Sequence, residues 1–351
     1  MFYYLDDMKS INKALIIHSG ALGDCVLTLR LAEFIKSALG VSIVNFIGPG
    51  DYIGFMPGRT AVSGIRSIHS VKLDRLFCDP SEFEIEEKDP LVAALGNYNW
   101  ILSFLGESGS NFETNLAYIA CFTSSPELIM LSAKPPQNYD NHISRYHIEE
   151  FIAGKMPSLE ALGIPDPHNF LEKEPSSLIY PNINDIQTGL GILKNKASVN
   201  VSASTDIAVI CPGSGGKHKC WHIDNYTETA AILRKQGFEP VFLLGMVELE
   251  RFGNENIQKL RTCASVIDSL TIEQVVCLLS TARLYIGNDS GISHISGAMS
   301  IPAVSIFGPT DPRIYRPIGS HSVSISLRPE SFTSYSKEAV SQVIETALAA
   351  V

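Results

Sequence analysis

Three times in this 351-residue chain a short, fully apolar run stops at a turn of small residues and restarts as a helical pattern. The first unit is Ala14-Leu15-Ile16-Ile17, then Ser19-Gly20-Ala21-Leu22-Gly23-Asp24, then a helix expected from Val26 to Leu39. Leu27, Leu31, Phe34, Ile35 and Ala38 fall on one face of that helix, and Gly40 ends it as a C-capping residue does. The second is Ile207-Ala208-Val209-Ile210, the loop CPGSGGKHKCW (211–221), and a helix expected from Asp224 to Lys235, ended by Gly237. The third is Leu284-Tyr285-Ile286, the turn GNDSG (287–291), and the small-residue helix ISHISGAM. A further strand, PAVSIF, follows and stops at GPTDP.

Short apolar strands that alternate with helices need cover on both faces, so this grammar predicts parallel sheets in an α/β fold. VSIVNFIG after the first helix and EPVFLLG after the second read as the returning strands of βαβ units. The expectation is two Rossmann-like domains with parallel sheets facing across a cleft. Residues 1–175 would form the first and 176–335 the second. A C-terminal helix over 336–351 would be capped by Ser336. The Pro-, Asn- and Ser-rich stretch at 164–186 reads as the linker. In such sheets ligands bind beyond the carboxyl ends of the strands, where all three loops sit.

Composition narrows the function classes. A net charge of −10 argues against a nucleic-acid partner, which normally meets a basic domain. Seven scattered cysteines with no CxxC read as reduced thiols of a cytoplasmic protein. The N-terminus has no basic stretch leading into an apolar core, so no signal peptide is expected. No run approaches the roughly 20 apolar residues of a membrane span, while peripheral contact with a membrane stays open.

Each loop has two readings. At Asn288-Asp289-Ser290-Gly291-Ile292-Ser293-His294, Asp289 or Ser290 caps the helix, or the free amides at its start hold a diphosphate. The loop containing Ser214, Gly215, Gly216, Lys217 and Lys219 is a mobile surface segment, or a nest of amides and cations for the same diphosphate. It lacks the GxxxxGK[ST] spacing of a Walker loop, and Cys211, His218, Cys220 and His222 lack the spacing of a zinc finger or ribbon. Asp24 caps its helix or acts as a general base. Gly20-Ala21-Leu22-Gly23-Asp24 is not GxGxxG, so a dehydrogenase is disfavoured.

Two signatures carry a resemblance. ALIIHSGALGDCVLTLRLAEFIK (14–36) and YIGNDSGISHISGAMSIPAVSIFGPTDP (285–312) together resemble glycosyltransferase family 9, the bacterial heptosyltransferases of lipopolysaccharide core assembly. Lys219-Cys220-Trp221 is similar to the family's K-x-W segment, but His222 stands where a proline is usual. The resemblance implies a GT-B fold and inverting transfer from a nucleotide-activated sugar, typically ADP-heptose, to a glycan or lipid-linked glycan. It implies no metal and no cofactor, and a cytoplasmic enzyme at or near the inner membrane. It implies Asp24 as base, presented by the acceptor-side loop with Gly20 and Gly23. Ser214, Lys219, Asp289, Ser290, Gly291, Ile292 and His294 would hold the donor. Glu248 or Glu250 would meet the ribose, and Leu270 the adenine. A nucleotide-sugar 2-epimerase and a non-catalytic nucleotide-sugar binder remain as alternatives on the same fold. Arg59, Arg66, Lys72 and Arg75 would either meet a phosphorylated acceptor or form an ordinary solvated surface.

Overall fold

The computed structural model describes residues 12–161, 163–164, 167–197, 199 and 205–351; the first eleven residues and parts of the expected linker lie outside the described residues. The first sheet is built from β1 (Lys13–Ile17), β2 (Ile43–Gly48), β3 (Gly64–Ser67), β4 (Trp100–Ser103) and β5 (Glu127–Met130). Its order is β3-β2-β1-β4-β5 and every pairing is parallel, with Ile16 opposite Phe46 on one side and Leu102 on the other. The helices of this half are α1 (Leu22–Leu27), α2 (Leu29–Ala38), α3 (Gly50–Ile53), α4 (Pro90–Leu95), α5 (Asn111–Ala120) and α6 (Ile143–Ala161). The first helix therefore starts four residues earlier than expected and breaks at Thr28, whose hydroxyl donates to the Asp24 carbonyl. Gly40 does take the left-handed conformation that ends it, at φ 62°.

The chain then enters α7 (Ile183–Lys196), whose first four residues overlap the stretch read as linker. Asn182 caps this helix through the Asn184 and Asp185 amides, and the Asp185 carboxylate in turn accepts from the Asn182 amide. The second sheet holds β6 (Asp206–Cys211), β7 (Phe238–Leu244), β8 (Ser265–Asp268), β9 (Ala282–Asn288), β10 (Ala303–Phe307) and β11 (Ser322–Ser326). It is also wholly parallel, in the order β11-β10-β9-β6-β7-β8. Numbered within its own half that order is 3-2-1-4-5-6, the doubly wound arrangement; the first sheet is the same without its sixth strand. Its helices are α8 (Ile223–Lys235), α9 (Met246–Cys263), α10 (Ile272–Leu279), α11 (Gly291–Ala298), α12 (Pro312–Tyr315), α13 (Pro329–Thr333) and α14 (Lys337–Ala350). Ser336 caps α14 through the Ala339 amide, and α14 packs on α8, β10 and β11.

Strand alternation sorts the core into three parts. Leu15, Ile17 and Ile101 face an outer cluster under the first sheet. Ala208, Ile210, Phe242 and Ile306 face one outside the second. Between them a single cluster runs from Ala14, Ile16 and Phe46 through Phe34, Phe151, Val276 and Ile295 to Val209 and Leu243. Arg59 reaches across this middle to Asp185 of α7 with two hydrogen bonds, at 2.9 and 2.6 Å. Arg75 is likewise held by Asp89 and the Glu84 carbonyl, so two of the four cations considered for an acceptor are engaged in the fold. Among the described residues no helix is long and apolar enough to cross a membrane.

Three histidines lie buried on the first-sheet side: His18, His142 and His147. His142 accepts from the Ser144 hydroxyl and donates from Nε2 to the Arg316 carbonyl at 2.7 Å, tying the start of α6 to the loop after α12. His147 packs against Phe104 with ring centroids 4.8 Å apart, and neither of its ring nitrogens has a partner. Burial lowers His18 and His142 to about 4 and His147 to about 3. An unfolded histidine titrates near 6.5, so between those values the unfolded chain binds protons that the native state refuses. Stability is thus complete above about pH 6.5 and falls as pH drops toward 4, by up to about 1.4 kcal/mol per unit for each ring. His147→Phe is expected to keep the Tm at pH 7.5 and to shrink the fall in Tm on going to pH 5; an undiminished fall counts against this account.

Candidate active site

A cavity of about 600 Å³ opens between the two halves. Its walls come from loops at the carboxyl ends of the strands: Ala21–Asp24 after β1, Tyr52 after β2, Gly213–Gly216 and Lys219 after β6. Gly245–Glu248 follow β7, Leu270 and Ile272 follow β8, and Asp289–Ile292 follow β9. The volume falls in the range of about 300–1,000 Å³ typical of small-molecule sites.

The two helix starts that frame the cavity touch. A Cβ on Gly291 would lie 2.7 Å from the Leu22 side chain, and one on Gly23 would lie 2.9 Å from the His294 ring. Each glycine thus makes room for a side chain of the opposite half. Asp24 stands at the exposed rim of this contact, and its Oδ2 accepts from the Ala21 amide at 3.0 Å. Gly20 lies beside it, where a Cβ would come within 2.4 Å of His18 and 2.8 Å of the Asp24 carboxylate. His18 Nδ1 in turn accepts from the Gly20 amide at 2.8 Å.

Across the cavity, Asn288 organises the second half. Its side chain is fully buried at the end of β9. Its Oδ1 accepts from the Trp221 amide at 2.9 Å and the Tyr226 hydroxyl at 2.8 Å, while Nδ2 donates to the Pro212 and Gly213 carbonyls. Both ends of the glycine-rich loop are therefore pinned to one residue. Arg251 of α9 holds the middle, donating to the Ser214 and Gly215 carbonyls. Trp221 is buried and donates from its indole to the Ser331 carbonyl, which fixes the chain two residues beyond Lys219. His222 uses its amide to reach the Phe332 carbonyl at 3.0 Å and its ring to cap α8. A proline has no such amide to give.

Lys219 points back to Asp289 at 2.7 Å. The same carboxylate oxygen accepts from Thr310, and the other stands 3.8 Å from His294 Nε2. Burial alone would raise the Asp289 carboxyl; His294, Lys219 and Thr310 outweigh it and hold the group well below the usual carboxylate range. Ser214 spends its hydroxyl on the Asp289 carbonyl. Ser290 caps α11 through the Ser293 amide, which leaves Gly291 and Ile292 as the first-turn backbone in the cavity wall. Lys217 and His218 are exposed and lie off the cavity.

Of the two acids considered after β7, Glu248 lines the cavity and Glu250 is exposed outside it. Glu248 caps α9 by accepting from the Gly245 amide at 2.9 Å and packs over Gly213. Leu270 joins Met246, Val247, Ile272 and Val275 in an apolar slot beside it. His294 and Gly20 are not in the wall; they stand behind Asp289 and Asp24. Sequence reasoning missed Tyr52, Asn288, Arg251 and Thr310. Thr310 lay within the quoted GPTDP signature, but its partner is 21 residues away in Asp289. Cys211 borders the cavity, with burial pushing its thiol up to about 12. All seven cysteines are free, and among the described residues no three His, Cys, Asp or Glu side chains converge as a metal site requires.

Residues 180–343 match the model of glycosyltransferase family 9 (heptosyltransferase). Over these residues the chain is similar to glycosyltransferase family 9. Lipopolysaccharide heptosyltransferase 2 of Escherichia coli K12 is 27% identical over 157 residues, 43% of this chain and 44% of that protein. The chain thus aligns with less than half the length of this curated relative. The fold extends further. A family 9 glycosyl transferase from Veillonella parvula superposes with a TM-score of 0.70 at 16% identity, over 97% of this chain and 99% of that one. The E. coli ADP-heptose lipopolysaccharide heptosyltransferase II does so with 0.67 at 18%, over 96% and 98%. Both likenesses establish the two-domain GT-B architecture expected from the two signatures.

Asn288→Ala would orphan a buried amide, a buried hydroxyl and two carbonyls at once. At about 1–3 kcal/mol per unsatisfied group, partly relieved by rearrangement, a loss of about 2–4 kcal/mol is expected in urea denaturation. A variant within 0.5 kcal/mol of the wild type, on the order of an ordinary surface change, would refute its role as the hub.

Proposed function

We propose that this chain is an inverting glycosyltransferase that moves a sugar from a nucleoside diphosphate donor, an ADP-linked heptose, to a hydroxyl of a lipopolysaccharide-type glycan. The observation that carries the reading is one cavity walled by Asp24 from one half and by Lys219, Asp289 and the start of α11 from the other. A carboxylate faces a cation and free amides across a space of ligand size, on a fold that is shared with an enzyme of ADP-heptose.

In this reading the diphosphate lies against the Gly291 and Ile292 amides and Lys219, where the helix dipole and the ammonium favour negative charge. Asp289 keeps Lys219 aimed at the cavity. Glu248 accepts from the ribose hydroxyls, and the apolar slot at Leu270 takes the adenine. Asp24 takes the proton of the acceptor hydroxyl as its oxygen attacks the anomeric carbon. The bond to the phosphate oxygen breaks on the opposite face, and the nucleoside diphosphate leaves with the electron pair. Lysine and amides stabilise that departing charge, a contribution of about 3–4 kcal/mol for a single well-placed donor. The proposal calls for no metal and no cofactor. It places the enzyme in the cytoplasm, with peripheral contact at the inner membrane where a lipid-linked acceptor resides.

Asn can keep the hydrogen bond that Asp24 accepts from Ala21, so Asp24→Asn should fold normally. Transfer should fall by about 10²–10⁴-fold while the ADP-induced rise in Tm stays at its wild-type size. Parallel loss of ADP binding would count against a role as base. Lys219→Met should do the opposite to the donor side, weakening the ADP-induced rise. The donor itself is tested with ADP, UDP, GDP and CMP in one thermal-shift panel. A ligand at 100 times its Kd adds about 2.7 kcal/mol. Stabilisation by UDP alone would overturn the ADP assignment and favour the 2-epimerase alternative.

A further inference from the structure

His18 is the last residue before the turn that carries Asp24, and the mechanism above does not use it. The residue is 3% exposed and its ring packs at a tilt on Phe104 with centroids 4.6 Å apart. Nδ1 accepts from the Gly20 amide at 2.8 Å. A ring nitrogen that accepts an amide proton carries none of its own, so the neutral ring bears its proton on Nε2. That Nε2 has no protein partner among the described residues, and it is not among the buried atoms left without one. It is therefore a fixed donor that no described residue engages. Burial holds the ring neutral, with the nearby Asp24 charge opposing only in part.

The position of that donor is set by Gly20. The one missing Cβ of this residue would touch His18 Cε1 at 2.4 Å and Asp24 Oδ2 at 2.8 Å, so imidazole and carboxylate flank the same glycine. Oδ2 is engaged by the Ala21 amide, which leaves Oδ1 as the oxygen free to take a proton. His18 is absent from the wall of the cavity assigned to the nucleotide. A hydrogen-bond donor and a carboxylate thus stand side by side on the half opposite the phosphate-binding elements. Vicinal oxygens of a sugar ring fit such a pair.

We propose that His18 binds the acceptor: its Nε2–H donates to a sugar oxygen adjacent to the hydroxyl that Asp24 deprotonates, and so sets which hydroxyl is attacked. This rests on the transfer reading above. The ring does two separable jobs, and two amides separate them. In His18→Asn the amide oxygen falls near the Nδ1 position and keeps the Gly20 bond while the Nε2 donor is lost. In His18→Gln the amide nitrogen reaches the Nε2 position while the Gly20 bond is lost.

The test uses ADP-heptose as donor and O-deacylated lipopolysaccharide from a strain lacking heptosyltransferase 2 as acceptor, with ADP-induced Tm as the control for folding. H18N is expected to raise the acceptor KM by about 10-fold or more, the loss of roughly one hydrogen bond, with donor KM and the ADP response unchanged. H18Q is expected to restore the acceptor KM to within about 3-fold of wild type. An unaltered acceptor KM in H18N with a damaged H18Q would overturn the proposal and leave His18 as a brace for the turn. Equal loss in both also overturns it. Should H18N fail to fold, H18Q alone decides, a near-normal acceptor KM supporting the proposal and a raised one overturning it. A wild-type protein that forms no glycosidic product overturns the transfer reading itself, and this proposal with it.

Discussion

The site depends on a contact that neither half makes alone. Leu22 fills the space left open by Gly291, and His294 fills the space left open by Gly23. The starts of α1 and α11 therefore meet with a side chain of each half against the bare glycine backbone of the other. Any side chain at either glycine would push the halves apart, and with them Asp24 and Asp289. The glycines of the GALGD turn are thus explained by packing before any ligand is considered. The acid at its end has the same double character. It caps its own helix, and it is exposed at the rim of the cavity.

Charge in the cavity is handled by pairing. Lys219 enters a partly buried site only because Asp289 meets it, and Asp289 remains ionised only because Lys219, Thr310 and His294 surround it. A buried carboxylate with so many partners costs little when satisfied and much when stripped of one. The glycine loop is rigid for a comparable reason. Asn288 and Arg251 absorb its carbonyls, and the Lys219 and Cys220 amides close a turn on the Gly216 and Lys217 carbonyls.

Much of this was legible in the sequence, because strand, turn and cap are local. The three strand–turn–helix units, the left-handed glycines at 40 and 237, and the Ser336 cap all follow from short-range chemistry. What escaped depends on distant residues. The stretch INDIQTGLGILKNK starts inside the expected linker and carries two glycines and two asparagines that weaken a helix. It is α7, and Gly189 is needed there because a Cβ would fall 2.0 Å from the Cys277 carbonyl of α10. Glu248 and Glu250 look alike in sequence, and only the geometry of α9 puts the first in the cavity wall. Arg59 looked like a free cation, and its partner Asp185 is 126 residues away. Asn288 was quoted as part of a signature without any hint that four groups converge on it.

The shared middle core has a consequence for how the chain is made. Every strand pairing in both sheets is parallel, so no sheet contact closes through a short hairpin. The first half leaves the ribosome complete in its strands but without Ile192, Val276 and Ile295, which belong to the same apolar cluster as its own Phe34 and Phe46. Until those residues arrive, that face has only water to meet. A nascent or truncated first half is then a sticky intermediate rather than a finished domain. Although the protein has two sheets, its first half is fully clothed only once much of the second has been made.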